Sequence, residues 1–335
     1  MDRQKIVSIR RTASVIVLLL ASALNFPQGW AQQRPQIHIT YSENMYATIA
    51  VVAIEKGYLA AQGLEVKHAS EGTATEVLEA MIGGSTDFGI ASPSRIEVMA
   101  RKKLPIRAIA LNAYGFTGSV VVPKKDERTK AMADLKGKAI AVQLGTGTYA
   151  VWARYLKSQG LSVKDFNIKS IKNPDIPATL ESGSVDGAVT WEPSPTRMVA
   201  KGIGRVILGP DDLAKPINSP YPFFLIAPSR LIDQKPEIVQ KVLNAWAQSL
   251  KYIRENPDDV ARIMTDSMKK MRGISLNPAD VKREVYLTRY DRLVITDTDV
   301  KDTEEMAQVL VDEGRIKAVP DIRSVIDNRF AEKAK

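Results

Sequence analysis

One α/β pattern occurs twice in this chain, and the repetition limits what it can fold into. Glu71 to Ser94 read EGTATEVLEAMIGGSTDFGIASPS. Leu144 to Thr148 read LGTGT, and Ala178 to Ser194 read ATLESGSVDGAVTWEPS. Each copy has a Gly-Thr-x-Thr loop that opens a helix and a Gly-Ser-x-Asp turn that closes one. Each then has a short apolar strand and a helix start rich in Pro and Ser. The segments around Asp87 and Asp186 align without a gap. Two α/β units on one plan imply two lobes with a cleft between them, into which both sets of helix starts point.

The rest of the chain fills in that plan. Strand signals at Gln36–Tyr41, Leu64–His68, Asp87–Ile90 and Ile106–Leu111 alternate with helices at 47–56, 76–82 and 94–102. The pattern restarts after the polar stretch 124–132. Strands are expected at 138–142, 166–171, 188–190 and 205–208, with helices at 148–159, 176–181 and 196–201. Such alternation argues for an α/β fold of two mostly parallel sheets flanked by helices. Gly118–Val122 and Phe223–Ala227 add apolar strands. From Pro236 on the chain is helical, with Ile238, Val242, Leu243, Trp246, Leu250 and Ile253 on one stripe. The expected division is a first lobe of 32–116 plus 229–335, including the C-terminal helices, and a second lobe of 117–228. The two crossings, near Phe116 and Pro228, would form a hinge.

Residues 1–31 read as a removable export leader. Arg3, Lys5, Arg10 and Arg11 precede the apolar run Ala13–Leu24, and Gly29-Trp30-Ala31 offers a cleavage site before Gln32. The run is shorter than the roughly 20 residues a membrane span needs. A periplasmic location is therefore expected. The 335 residues include no cysteine, which excludes disulfides, thiolate metal sites and a cysteine nucleophile. Net charge is +9. The leader holds four basic residues and one acidic, a net +3, so +6 remains beyond it, spread rather than clustered. That argues against nucleic acid and leaves a mild field for an anionic ligand.

Four strand-to-helix junctions carry the candidate chemistry: Ser42-Glu43-Asn44, Gly72-Thr73-Ala74-Thr75, Ser92-Pro93-Ser94 and Gly145-Thr146-Gly147-Thr148. In an open parallel sheet, ligands bind at the carboxyl ends of the strands. There, unpaired helix amides carry partial positive charge and suit an anion. The same Ser and Thr side chains also suit plain helix caps. Trp191 and Glu192 come after a strand at the same level: an indole to cover a ligand, a carboxylate to accept from a ligand amine. Tyr41, Tyr46, Tyr114, Phe116 and Tyr149 fall near these loops and favour a ligand with an organic body. The candidate ligand residues are thus Ser42, Glu43, Asn44, Tyr46, Thr73, Thr75, Ser92, Ser94, Tyr114, Thr146, Thr148, Tyr149, Trp191 and Glu192.

Other motifs point away from catalysis. Gly145 to Ala150 fits G-x-G-x-x-A, but the acid that a dinucleotide site wants after the next strand is replaced by Lys169 to Lys172. Asp87 and Asp186 read as turn residues rather than as paired catalytic carboxylates. His38 and His68 lack partners at metal-ligand spacing. Neither a nucleophile elbow nor a phosphate loop is present. No cofactor or metal is expected.

In order along the chain, Glu55-Lys56-Gly57-Tyr58-Leu59, Gly63 to Val66, Leu78 to Ile90, Asp134 to Lys138, Val185 to Val189 with Trp191-Glu192-Pro193, and Pro236 to Pro257 resemble solute-binding proteins of bacterial ABC importers. The similar branch takes nitrate, sulfonates and taurine, and is related to thiamine-precursor binding proteins. The resemblance covers about residues 36–260. It implies a two-lobe periplasmic-binding fold of type II, closure on a small solute, a monomer, and delivery to a membrane permease with its cytoplasmic ATPase. Glu43 departs from a purely anion-selective pocket and leaves amino-sulfonates, carboxylates and heterocycles open. Enzymes of the same fold, such as pyrimidine-precursor synthases or dehydratase relatives, are the alternative. A sensory receptor is a further possible partner.

Overall fold

A computed structural model describes residues 34–335 apart from Glu43, Ile274 and Leu276, and leaves the side chains of Met271 and Arg272 undescribed. The expected leader and Glu43 lie outside the described residues. In chain order the strands are β1 Gln36–Ser42, β2 Glu65–Glu71, β3 Phe88–Ala91, β4 Ile106–Tyr114, β5 Gly118–Pro123, β6 Ala139–Val142, β7 Asn167–Ser170, β8 Gly187–Trp191, β9 Gly204–Leu208 and β10 Pro222–Pro228. They form two five-stranded sheets, ordered β2-β1-β3-β10-β4 and β7-β6-β8-β5-β9. In the first sheet β2, β1 and β3 are parallel, and β10 runs against β3 and β4. In the second, β7, β6 and β8 are parallel, and β5 runs against β8 and β9. The two orders match place for place.

The chain enters each sheet from the other through its single reversed strand. That placement corrects the expected boundary. The expected second lobe ends with Phe223–Ala227, yet β10 lies between β3 and β4 of the first sheet, so the return crossing comes before Pro222. An apolar run buried on both faces suits the middle of either sheet. Only its pairing partners decide which one it joins.

The helices are α1 Thr48–Glu55, α2 Tyr58–Ala61, α3 Ala74–Ile82, α4 Pro93–Arg101, α5 Gly147–Ser158, α6 Ile176–Glu181, α7 Ser194–Ala200, α8 Pro210–Ala214, α9 Ser229–Gln234, α10 Pro236–Glu255, α11 Pro257–Arg272, α12 Pro278–Val285 and α13 Asp297–Asp312. Among the described residues none is long and apolar enough to cross a membrane. The expected stripe of α10 is buried from Ile238 to Ile253 and packs on α1, itself almost wholly buried. Burying each large apolar side chain contributes about 1.5–3 kcal/mol. Trp246 donates its indole N–H to Asn112 Oδ1 at 3.1 Å, and Asn112 Nδ2 donates to the Tyr46 carbonyl at 2.7 Å. The α10 core is thereby tied to the loop after β1.

The repeated aspartates do the same structural job twice. His38 N–H donates to the Asp87 carboxylate at 2.8 Å, and Asp87 N–H donates back to the His38 carbonyl at 2.9 Å. Ala139 N–H donates to the Asp186 carboxylate at 2.8 Å, and Asp186 N–H returns to the Ala139 carbonyl at 2.8 Å. Each aspartate clips the strand it precedes to the first parallel strand of its sheet. The histidines are structural too: His68 Nδ1 sits 2.9 Å from the Tyr41 hydroxyl, and His38 Nδ1 lies 3.3 Å from the Ser85 carbonyl.

The C-terminal helix α13 packs on α4, which flanks the first sheet, and equally on α5, which flanks the second. Asp302 of α13 is buried and accepts from Arg154 at 2.8 Å, from the Ser219 hydroxyl at 3.0 Å and from Tyr221 N–H at 3.0 Å. The helix therefore joins both halves rather than belonging to the first alone.

Candidate functional site

Three of the expected helix starts converge on one cavity between the two sheets. Its lining includes Thr73, Ala74 and Thr75 at the start of α3, Ser92 and Ser94 at α4, and Thr146, Gly147 and Thr148 at α5. Asn44, Tyr46 and Thr117 contribute from the loops after β1 and β4, and Trp191 from the end of β8. Arg95, Tyr221 and Phe223 complete it. The cavity leaves about 40 Å³ to the centres of water-sized molecules.

Local chemistry explains the placement. Thr73 and Glu76 form a capping box, with Glu76 N–H reaching the Thr73 hydroxyl at 3.4 Å and Thr73 N–H reaching Glu76 at 2.9 Å. The Thr146 hydroxyl accepts from Tyr149 N–H at 3.3 Å and donates to the Gln143 carbonyl at 2.7 Å. Both threonines are caps as well as lining. Ser92 makes no cap bond; its hydroxyl instead lies 3.0 Å from that of Ser94. Asn44 accepts from Tyr46 N–H at 3.1 Å, and donates to the Ser42 hydroxyl at 2.9 Å. Gly145 takes a left-handed φ of 73°. A Cβ on Gly147 would lie 2.7 Å from the Tyr221 hydroxyl. These two demands, a turn and a close approach, account for the Gly-Thr-Gly-Thr motif without a dinucleotide.

Tyr46 forms the floor. Its ring stacks on Phe223 at 3.6 Å between centroids, and its hydroxyl donates to the Gly115 carbonyl at 2.6 Å. Tyr221 holds φ 53°, a costly value for a bulky residue. Burial pushes the Tyr46 and Tyr221 phenols up, so both stay protonated and can only donate or accept as neutral hydroxyls. Trp191 is fixed through Asn173, whose Oδ1 accepts from Trp191 N–H at 3.3 Å and whose Nδ2 donates to the Ser194 hydroxyl at 3.2 Å.

The other candidates lie elsewhere. Ser42 is buried behind Asn44. Tyr114 turns out of the cavity, donates to Asp291 at 2.8 Å and carries the Arg292 guanidinium 5.0 Å from its ring. Tyr149 follows the phase of α5 out of this cavity, donates to Glu313 and lines a neighbouring cavity bounded by α4, α5 and α13. Tyr41 points to His68, while Phe116 packs against Tyr221 at 4.9 Å beneath the lining. Glu192, expected to meet a ligand amine, is buried at the start of α7, where it accepts from Thr196 N–H at 3.2 Å. A carboxylate there completes the helix start.

Beside Glu192 lies Glu284 of α12, fully buried, with neither carboxylate oxygen hydrogen-bonded among the described residues. Burial, then the neighbouring Glu192, pushes the Glu284 carboxyl up to about 8. Arg283 reaches across to the Thr196 hydroxyl at 3.1 Å, tying α12 to α7.

Arg95 is the charged lining residue that sequence reasoning misses. It stands one turn after Ser92 on the same face of α4 and donates to the Gly145 carbonyl at 2.6 Å, bridging from the first half to the second. Burial lowers its pKa, with Glu97 and Glu79 countering at a distance, yet no carboxylate pairs with it among the described residues. No described carboxylate lines the cavity either. Three helix N-termini and one unpaired guanidinium give the cavity a positive potential. No group of three or more metal-ligating side chains occurs among the described residues.

Known proteins share this fold. The alkanesulfonate-binding protein SsuA of Xanthomonas axonopodis pv. citri, solved bound to MOPS, superposes with a TM-score of 0.74 at 19% identity, covering 89% of this chain and all of that one. The fold is thus that of a periplasmic binding protein, two mixed sheets flanked by helices. In sequence, a putative aliphatic sulfonates-binding protein of Bacillus subtilis is 23% identical over 325 residues, 96% of this chain and 94% of its own. The taurine-binding periplasmic protein of Escherichia coli is 23% identical over 311 residues, 90% of this chain and 95% of its own. The NMT1/THI5-like family model matches residues 44–260, well over half of the sequence, and the chain belongs to that family.

Proposed function

We propose that this protein is the periplasmic solute-capturing component of an ABC importer and takes a small organic anion between its two sheets. The observation that carries this reading is the cavity itself. Three helix starts and Arg95 face it, no described carboxylate opposes them, and contacts from both sheets close over it. The relatives named for sulfonate and taurine binding support the same class. The chain works without catalysis: it binds, closes by rotation about its two crossings, and hands the solute to a permease driven by a cytoplasmic ATPase. Export through the N-terminal leader and a monomeric state belong to this reading.

Of the anions, sulfonates and carboxylates with an organic body fit better than a bare oxyanion, because Trp191, Tyr46, Tyr221 and Phe223 supply ring surface beside the positive end. Thermal-shift and calorimetric titration against ethanesulfonate, taurine, acetate, nitrate and a pyrimidine tests the reading. Stabilisation by the organic anions is expected. Stabilisation by the uncharged pyrimidine alone would sink it.

A further inference from the structure

The cavity with room for about 40 Å³ of water centres is small. It takes an acidic head group and the start of the body, which meets the rings of Trp191, Tyr46, Tyr221 and Phe223. A second cavity, of about 240 Å³ on the same measure, begins where the first ends. Ser94, Arg95 and Thr146 line both. The Arg95 guanidinium, bonded to the Gly145 carbonyl, stands between them.

The second chamber is walled by α4, α5 and α13. Val98, Ala150, Met306, Leu310 and Ile316 give it an apolar wall. Its other charges are matched: Arg101 lies 2.5 Å from Glu97, and Arg315 lies 3.7 Å from Glu313. Only Arg95, shared with the first chamber, lacks a carboxylate among the described residues. The first chamber thus offers unbalanced positive charge beside ring surface, and the next offers aliphatic surface.

We infer that the solute is an elongated organic anion, with its acidic head in the first chamber at Arg95 and a straight apolar tail running past Arg95 into the second chamber under α13. This rests on the anion reading of the first chamber and adds the length and polarity of the body behind the head. A ligand of that shape gains from every methylene that reaches the second chamber. Inorganic oxyanions and two-carbon acids leave the chamber unused.

Calorimetry on the full mature chain with ethane-, butane- and hexanesulfonate tests the inference. Affinity is expected to rise about two- to fourfold per added methylene, the yield of burying a CH₂. Leu310→Trp, which fills the second chamber, and Ile316→Asn, which puts an uncharged polar group in it, should flatten the series while leaving ethanesulfonate affinity within about twofold, which also shows that the variants are folded. If ethanesulfonate binds but hexanesulfonate binds no tighter, the elongated-ligand inference falls and the anion reading stands. A length dependence that survives both variants places the tail elsewhere and overturns the assignment. Absence of binding by every sulfonate, with carboxylates of the same lengths equally inert, removes the anion reading and this inference with it.

Discussion

The junction after β3 and the junction after β8 come from matching places in matching sheets, yet they supply opposite things to the cavity. The first gives Ser92, Ser94 and, one turn on, Arg95. The second gives Trp191, then turns Glu192 inward to the start of α7. In the gapless alignment of the two aspartate segments, Arg95 falls opposite Ser194, which is buried and bonded to Asn173. Charge is thus contributed by one half and ring surface by the other. Duplication of a scaffold fixes where a site lies; the departures from symmetry decide what it holds.

That contrast can be broken most directly at Arg95. Arg95→Ala should weaken an organic anion roughly 10- to 150-fold, the range for losing a hydrogen bond to a charged group. Arg95→Lys should recover part of the loss in calorimetry. Equal affinities for all three proteins would mean that helix ends alone supply the attraction. Gly147→Ala tests the packing that both halves share. Its Cβ would press on the Tyr221 hydroxyl and ring, at 2.7 and 2.9 Å. Overpacking of this kind costs about 1–3 kcal/mol, visible as a lowered melting temperature; an unchanged one would show that Tyr221 moves freely.

Trp191→Ala probes the other half. A loss of about 1–2 kcal/mol is expected for ligands with an apolar body, less than the side chain's full burial value because it is only half-buried. Nitrate should be nearly indifferent to the change. Equal losses for both ligands would assign Trp191 a purely structural part. The Glu192–Glu284 contact predicts a pH dependence. With its carboxyl raised from 4.5 to about 8, Glu284 is protonated in the folded protein at pH values where the unfolded chain has released the proton. The contribution of Glu284 to stability is therefore fully present below 4.5 and is lost as pH rises towards 8. Glu284→Gln should flatten that decline in denaturant titrations at about pH 5 and about pH 8.5, and a slope unchanged by the substitution would exonerate this group. The smallest effects belong to the symmetric pair. Asp87→Asn and Asp186→Asn should each cost about 1 kcal/mol of stability or less, with Asp87, the less exposed, the larger. Neither should alter affinity.

How much of this is legible in the sequence depends on how local each feature is. Thr73, Thr75, Ser92, Ser94, Thr146 and Thr148 sit at helix starts after strands, and a helix start announces itself within a few residues. Asn44, Tyr46 and Trp191 come from the same logic. Proximity along the chain suggests Tyr114 and Tyr149, but the phase of a strand or helix sends a ring to one side: Tyr114 turns to Asp291, and Tyr149 reaches the second chamber instead of the first. Glu192 is drawn to the helix it precedes. Arg95 needs the rotation of α4, while Tyr221 and Phe223 need the knowledge that β10 returns to the first sheet. Long-range pairing carries that information, and no window of sequence contains it.

The reversed strand β10 has a consequence for the architecture as a whole. β4 and β10 are antiparallel neighbours, with Tyr114 opposite Pro222. Everything between them, the entire second sheet included, is an excursion from the tip of one long hairpin. Its base is pinched shut where Gly115 N–H donates to the Pro220 carbonyl at 2.7 Å. The two residues at that neck, Gly115 at φ 122° and Tyr221 at φ 53°, both carry backbone angles most residues avoid. Excising the excursion and joining the neck with a short turn would leave the first sheet all five of its strands. The second sheet, in turn, is one uninterrupted stretch from β5 to β9. The second sheet is thus threaded into a loop of the first through a neck two strands wide.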